Sequence, residues 1–163
     1  MTNVTLVPMN ESHIDEILAI ENAVFDAPWT REMFRQEVRG VFGSYATVAL
    51  SDRSVVGYQI AWFIEDEVHL VNIAVHNGHQ ARGIGALLLR HLIEEAISRQ
   101  KVIITLEVRA SNQIAQSFYH RFFFRTIGVR KGYYSDNRED ALLMALDLTT
   151  LVHRRRALQE KPR

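Results

Sequence analysis

The sequence predicts an α/β (α+β) fold, and three observations carry that reading. Short β-like apolar runs recur along the chain, amphipathic helix patterns lie between them, and one long helix follows a glycine loop that itself follows a strand. A length of 163 residues gives one domain enough chain to bury a substantial core. The expected organisation is a domain over residues 1–148 and a basic, flexible tail over 149–163.

Taken in order, Thr5 to Val7 reads as a short first strand ended by Pro8. Asn10 or Ser12 can cap a helix whose Ile14, Ile17 and Leu18 share a face. Asp26-Ala27-Pro28-Trp29-Thr30 is a turn, and Thr30 can cap a second helix carrying Met33, Phe34 and Val38. Tyr45 to Leu50 and Val55 to Ile64 read as a hairpin, and Val68 to Val75 as an interior strand. Ile84, Leu87, Leu88, Leu92 and Ala96 form the apolar stripe of the main helix, which runs to about Arg99. Val102 to Val108 is the next strand, and Ser111 or Asn112 can cap a helix through Phe122. Phe124 to Tyr133 and Ala141 to Leu148 form a final pair of strands joined by a polar connection.

Composition narrows the function. Nineteen basic residues balance nineteen acidic ones, so no direct nucleic-acid binding is expected of the chain as a whole. Arg154, Arg155, Arg156, Lys161 and Arg163 make the tail basic, a pattern that suits an RNA or ribosomal surface but reads first as a solvated end. Cysteine is absent, which excludes disulfides, thiolate metal sites and a cysteine nucleophile. No metal site is expected. His76 and His79 are separated by two residues, with no further ligands at zinc-like spacing. No basic segment precedes an apolar signal core and no apolar run approaches a membrane span, so a cytoplasmic location without a membrane partner is the expectation.

The glycine loop reads Gln80-Ala81-Arg82-Gly83-Ile84-Gly85-Ala86. Glycines at a helix start leave backbone N–H groups bare, and the helix dipole favours an anion there. This is a phosphate cradle rather than a dinucleotide fingerprint, because Leu88 stands where the third glycine would be.

Gln80-Ala81-Arg82-Gly83-Ile84-Gly85 resembles the Q/R-x-x-G-x-G/A loop of the GCN5-related N-acetyltransferases. Leu106-Glu107-Val108-Arg109-Ala110-Ser111-Asn112, Tyr119, Arg130-x-x-Tyr133-Tyr134 and Arg138-Glu139-Asp140-Ala141 follow in the order found in the RimI-type branch, which acetylates a ribosomal-protein N-terminus. The resemblance implies a mixed central sheet splayed between the fourth and fifth strands, with about four flanking helices. It implies acetyl-coenzyme A as co-substrate, its pyrophosphate on residues Gln80 to Ala86, and its acetyl carbonyl on main-chain amides around Ile73, Ala74 and Val75. Asn112 is a further cofactor contact on this reading, although helix capping explains it equally well.

By the same resemblance Glu107 is the general base and Tyr119 the general acid for the leaving thiolate. Burial would raise the pKa of Glu107 into a useful range. The plainer alternative is a strand-end carboxylate paired with an arginine such as Arg109. Tyr119 has its own plain alternative as a packing residue among Phe118, Phe122, Phe123 and Phe124. Phe25, Trp29, Tyr133 and Tyr134 are implied walls of a groove for the acceptor. That acceptor is expected to be a protein N-terminus, with the N-terminal alanine of the eighteenth small-subunit ribosomal protein as the leading candidate. Other N-termini or a small amine are the runners-up, and a non-catalytic coenzyme A or peptide-binding module is a third reading. Two departures stand out: Phe123-Phe124 replaces the usual Gly-Phe after the tyrosine helix, and His76-Asn77-Gly78-His79 replaces the usual turn before the glycine loop.

Overall fold

The structure, a computed structural model, describes residues 3–160. Among these residues are seven strands and five α-helices: β1 (Val4–Pro8), α1 (Ile14–Val24), α2 (Arg31–Val38), β2 (Ser44–Ser51), β3 (Ser54–Ile64), β4 (Glu67–Val75), α3 (Ile84–Ser98), β5 (Ile103–Arg109), α4 (Gln113–Arg121), β6 (Arg125–Arg130), β7 (Ala141–Asp147) and α5 (Leu148–Gln159). The strand order is β1-β2-β3-β4-β5-β7-β6. The sheet is mixed, because β4 and β5 run parallel while β1–β2, β2–β3, β5–β7 and β6–β7 are antiparallel. The parallel register takes in Glu67–Ile103, Val68–Ile104 and His69–Thr105. Beyond those pairs β4 continues to Val75 and β5 to Arg109.

The described residues form two compact units, residues 3–64 with 70–94 and residues 65–69 with 95–160. In the first, Thr30 accepts from the Met33 amide and starts α2, as its position after the Asp26–Trp29 turn predicts. The apolar faces of α1 and α2 bury Ile14, Ile17, Ile20 and Phe34 against Val48, Tyr58 and Ile60 of the hairpin strands. A second cluster joins Ile84 and Leu88 of α3 to Ala49 and Val56.

Gly57 makes that second cluster possible. A Cβ on Gly57 would lie 3.0 Å from the Ala74 carbonyl oxygen, 3.2 Å from Ile84 Cγ2 and 3.3 Å from Leu88 Cδ1. Only a residue without a side chain lets β4 and the first turn of α3 approach this closely.

In the second unit Asn112 caps α4 by accepting from the Ala115 amide at 3.0 Å. The residues after Leu148 differ from the flexible tail expected above. Asp147 accepts from the Thr150 amide at 3.0 Å and starts α5, and Leu148 is buried with its amide donating to the Val102 carbonyl. Arg154, Arg155 and Arg156 lie exposed on α5, whereas Lys161 and Arg163 fall outside the described residues. No helix among the described residues is long and apolar enough to cross a membrane.

Candidate active site

The glycine loop belongs to the first unit. After Val75 the chain makes a 3₁₀ turn over Asn77–His79, and His76 Nδ1 accepts from the Gly78 amide at 3.0 Å. Gln80 turns its amide inward to the Val75 carbonyl and to Asn77 Oδ1, so this side chain braces the loop. Ala81 and Gly83 both have positive φ, 59° and 81°, which reverses the chain into α3. The Leu87 amide donates to the Gly83 carbonyl at 2.9 Å. The amides of Ile84, Gly85 and Ala86 therefore precede the first i→i−4 bond of the helix. A Cβ on Gly83 would meet nothing within 4 Å, and Arg82 is exposed beside it. A bare amide turn, open space and an adjacent guanidinium are what a pyrophosphate requires. Ile73 and Val75 pack against the Ala49–Val56–Ile84–Leu88 cluster, and Ala74 between them is buried.

In the same unit, a buried carboxylate that the sequence did not single out organises the turn after α1. Glu21 accepts from the Trp29 amide at 2.9 Å, from Asn72 Nδ2 at 3.1 Å and from the Tyr58 hydroxyl. Trp29 is thereby folded against Phe34, ring centroids 5.4 Å apart, while Phe25 stays exposed at the end of α1. Of the two expected wall residues here, Phe25 is open to an acceptor and Trp29 is mostly built into the core.

Glu107 lies in the second unit with its side chain 9% exposed. It does not pair with Arg109. Its Oε2 accepts from His69 Nε2 at 2.8 Å and its Oε1 from Arg130 Nε at 3.1 Å. The raised pKa expected from burial is also corrected. Burial does push the carboxyl up, but the hydrogen bond and charge of His69 and the charge of Arg130 outweigh it, and the carboxyl lies below its usual range. The base candidate is thus ionised throughout the neutral range.

Arg109, two residues along the same face of β5, turns instead to the β6–β7 connection. It meets Asp136 at 2.7 Å and Glu139 at 3.2 Å, and its guanidinium covers the Tyr134 ring at 3.9 Å from the centroid. Glu139 also accepts from the Ser111 amide at 2.8 Å. Hydrogen bonding from Ser111, then from Arg109, holds the Glu139 carboxyl down to about 2. Tyr133 and Tyr134 meet edge to face at 5.1 Å. Both phenols are raised, by burial first, and both feel the Glu107 charge. The connection therefore brings two of the expected wall residues into the electrostatic neighbourhood of Glu107.

Tyr119 is 8% exposed and packs against Phe118 and Phe124 at 5.3 and 5.7 Å. Burial, then the charge of Tyr134, raises its hydroxyl pKa well above the ordinary phenol value. The chain turns left-handed after this helix without a glycine. Phe123 takes the left-handed conformation itself, φ 68°, with its amide on the His120 carbonyl and the Phe124 amide on the Tyr119 carbonyl. These two bonds form a Schellman end that holds the backbone of Tyr119.

The acetyltransferase (GNAT) family model matches residues 14–124. The chain is 36% identical over 137 residues to the ribosomal protein bS18-alanine N-acetyltransferase of Salmonella typhimurium, covering 80% of this chain and 88% of that protein. It also superposes on the crystal structure of the ribosomal-protein-S18-alanine N-acetyltransferase from Escherichia coli with a TM-score of 0.82 at 30% identity, over 90% of this chain and 94% of that one. Arabidopsis thaliana NAA60 in complex with acetyl-CoA shares the fold at 18% identity, with a TM-score of 0.81 over 90% and 99% of the two chains.

Proposed function

Because the chain belongs to the acetyltransferase (GNAT) family, we propose that it transfers acetyl from acetyl-coenzyme A to a protein N-terminal amine, with the N-terminal alanine of ribosomal protein bS18 as acceptor. The observation that carries the reading is Glu107, an ionised and mostly buried carboxylate held by His69 and Arg130 beside Tyr133 and Tyr134. Likeness to the bS18 enzymes supports the choice of acceptor.

Bound acetyl-coenzyme A supplies an acetyl group activated as a thioester. Amides of Ile84, Gly85 and Ala86, with Gly83 and Arg82, hold its pyrophosphate, while Gln80 and Ala81 shape the turn. Amides around Ile73, Ala74 and Val75 receive the carbonyl oxygen as negative charge grows on it.

The acceptor α-amine has a pKa of about 7.7–8.0 when free, so part of it is neutral near pH 7. As nitrogen bonds to the acetyl carbon its N–H becomes strongly acidic, and even a weak carboxylate base removes the proton. Glu107 takes it, directly or through a water. Tyr119, kept protonated by burial, hydrogen-bonds to the sulfur or gives it its proton as the carbon–sulfur bond breaks. Tyr133 and Tyr134 receive the peptide beside Glu107, and in the other unit Phe25, exposed, and Trp29, packed on Phe34, are the further acceptor-contact candidates. Asn112 serves this site as the cap that sets α4, and hence Tyr119.

The test is incubation with acetyl-coenzyme A and peptides beginning Ala-Arg, Met-Glu or Ser-Glu, beside a panel of small amines, with products read by mass spectrometry. Acetylation of the α-amine of the Ala-Arg peptide is expected. Products from small amines alone overturn the acceptor assignment, and coenzyme A binding without any product overturns the activity.

A further inference from the structure

We infer that His69 is a positioning residue for the transfer, holding Glu107 through its Nε2–H while Thr105 anchors the other side of the ring. The inference rests on Glu107 being the base of the proposed reaction.

The parallel register makes the arrangement. His69 of β4 is the Cα partner of Thr105 on β5, the last of the three pairs. Thr105 and Glu107 alternate along β5 and share one face of it. The His69 ring reaches both: Nδ1 lies 2.9 Å from Thr105 Oγ1, and Nε2 lies 2.8 Å from Glu107 Oε2. An ionised carboxylate only accepts, so Nε2 must carry hydrogen. In the neutral ring Nδ1 then accepts, and the Thr105 hydroxyl donates to it. In the charged ring Nδ1 donates to the same hydroxyl, which can give or take, so Thr105 anchors the ring in either state while the carboxylate fixes hydrogen on Nε2.

His69 holds Glu107 more firmly than Arg130 does. The Arg130 side chain is 53% exposed against 27% for His69, and solvent screens the more exposed pair. The groups that act on the Glu107 carboxylate are His69 from β4, Arg130 from β6, and Tyr133 and Tyr134 from the β6–β7 connection. One carboxylate oxygen gives a lone pair to His69 and the other to Arg130, and the residue's own backbone N–H takes a third, which leaves a lone pair for the incoming proton. His69 therefore sets where the receiving oxygen sits without itself taking the proton. Its loss also removes an influence that keeps the carboxyl ionised, leaving burial less opposed.

The experiment compares His69→Ala, His69→Gln, Thr105→Val and Glu107→Gln in steady-state acetylation of the Ala-Arg peptide across about pH 3.5–9, which takes in the Glu107 limb as well as that of the α-amine, with thermal melts to verify folding. His69→Ala is expected to lower kcat at least about tenfold, with the KM for acetyl-coenzyme A within about twofold, and to move the acid limb of kcat to higher pH. His69→Gln, whose amide can donate to Glu107, is expected to keep kcat within about threefold and to leave the limb in place. Thr105→Val keeps the strand shape and is expected to lower kcat a few fold, about two- to fivefold; it decides the question if His69→Ala does not fold. Wild-type kcat and limb in His69→Ala or in Thr105→Val overturn the inference. So does equal loss in His69→Ala and His69→Gln with an unmoved limb. If Glu107→Gln retains turnover, the base assignment itself falls and the inference with it. If only Glu107→Gln is impaired, the base stands and His69 is excluded.

Discussion

The guanidinium of Arg109 lies 3.9 Å from the ring centroid of Tyr134 while its nitrogens reach Asp136 and Glu139. One side chain from the end of β5 thus ties down the connection that presents both tyrosines to Glu107. Arg109→Ala is expected to raise the KM for the peptide about five- to tenfold with a smaller change in kcat, because the tyrosines lose their setting while Glu107 keeps its partners. Lysine should not rescue it, since an ammonium reproduces neither the stacked plane nor the fork. Peptide kinetics on the two variants check this, and a wild-type KM in Arg109→Ala contradicts it.

The same network has a pH signature. The Glu139 carboxyl is held at about 2, against about 4.3 for an unperturbed glutamate. A depressed carboxyl contributes stability that is fully present above the unfolded value and is lost as pH falls through the folded one. The stability difference between wild type and Glu139→Gln should therefore be steady near neutrality and shrink between about pH 4 and pH 2. Denaturant midpoints across that range measure it, and a difference that stays constant is the contrary result.

Gly57 and Phe123 test the scaffold in opposite directions. Gly57→Ala must displace the Ala74 carbonyl or the first turn of α3, which should cost about 1–3 kcal/mol and weaken acetyl-coenzyme A binding. Calorimetry and coenzyme A titration detect the two effects together, and a variant as stable as the parent contradicts the close packing.

Phe123→Gly should do the reverse for stability. The phenylalanine is 61% exposed and occupies a left-handed conformation that costs an L-residue about 1–2 kcal/mol. Glycine removes that cost but adds freedom to the unfolded chain, so a net gain of about 0.5–1 kcal/mol is expected, with kcat unchanged because the Schellman bonds are backbone bonds. Chemical denaturation provides the comparison, and a loss of stability shows that the exposed ring contributes packing.

Much of this was legible in the residues. Apolar runs located the strands, Thr30 and Asn112 marked their helices, and Gly83 marked the turn into α3. The readings that differed concern relations between distant segments. The choice between Arg109 and Arg130 as partner of Glu107 depends on where the β6–β7 connection folds, and composition is silent on that. His69 became visible only through the three-pair parallel register, because a histidine in an apolar strand looks like any half-buried polar residue. Glu21 was hidden for a similar reason, its donors coming from residues 8, 37 and 51 positions away. The tail looked unstructured by charge alone, yet Asp147 caps it into a helix and Leu148 anchors its first turn.

The central claim is that Glu107 removes the proton from a protein N-terminal amine during acetyl transfer. It is tested most directly by the turnover of the Ala-Arg peptide in Glu107→Gln, measured beside the affinity of the same variant for acetyl-coenzyme A. The predicted result is a fall in kcat of about 10²-fold with cofactor affinity unchanged. Wild-type turnover with the glutamine in place would contradict it.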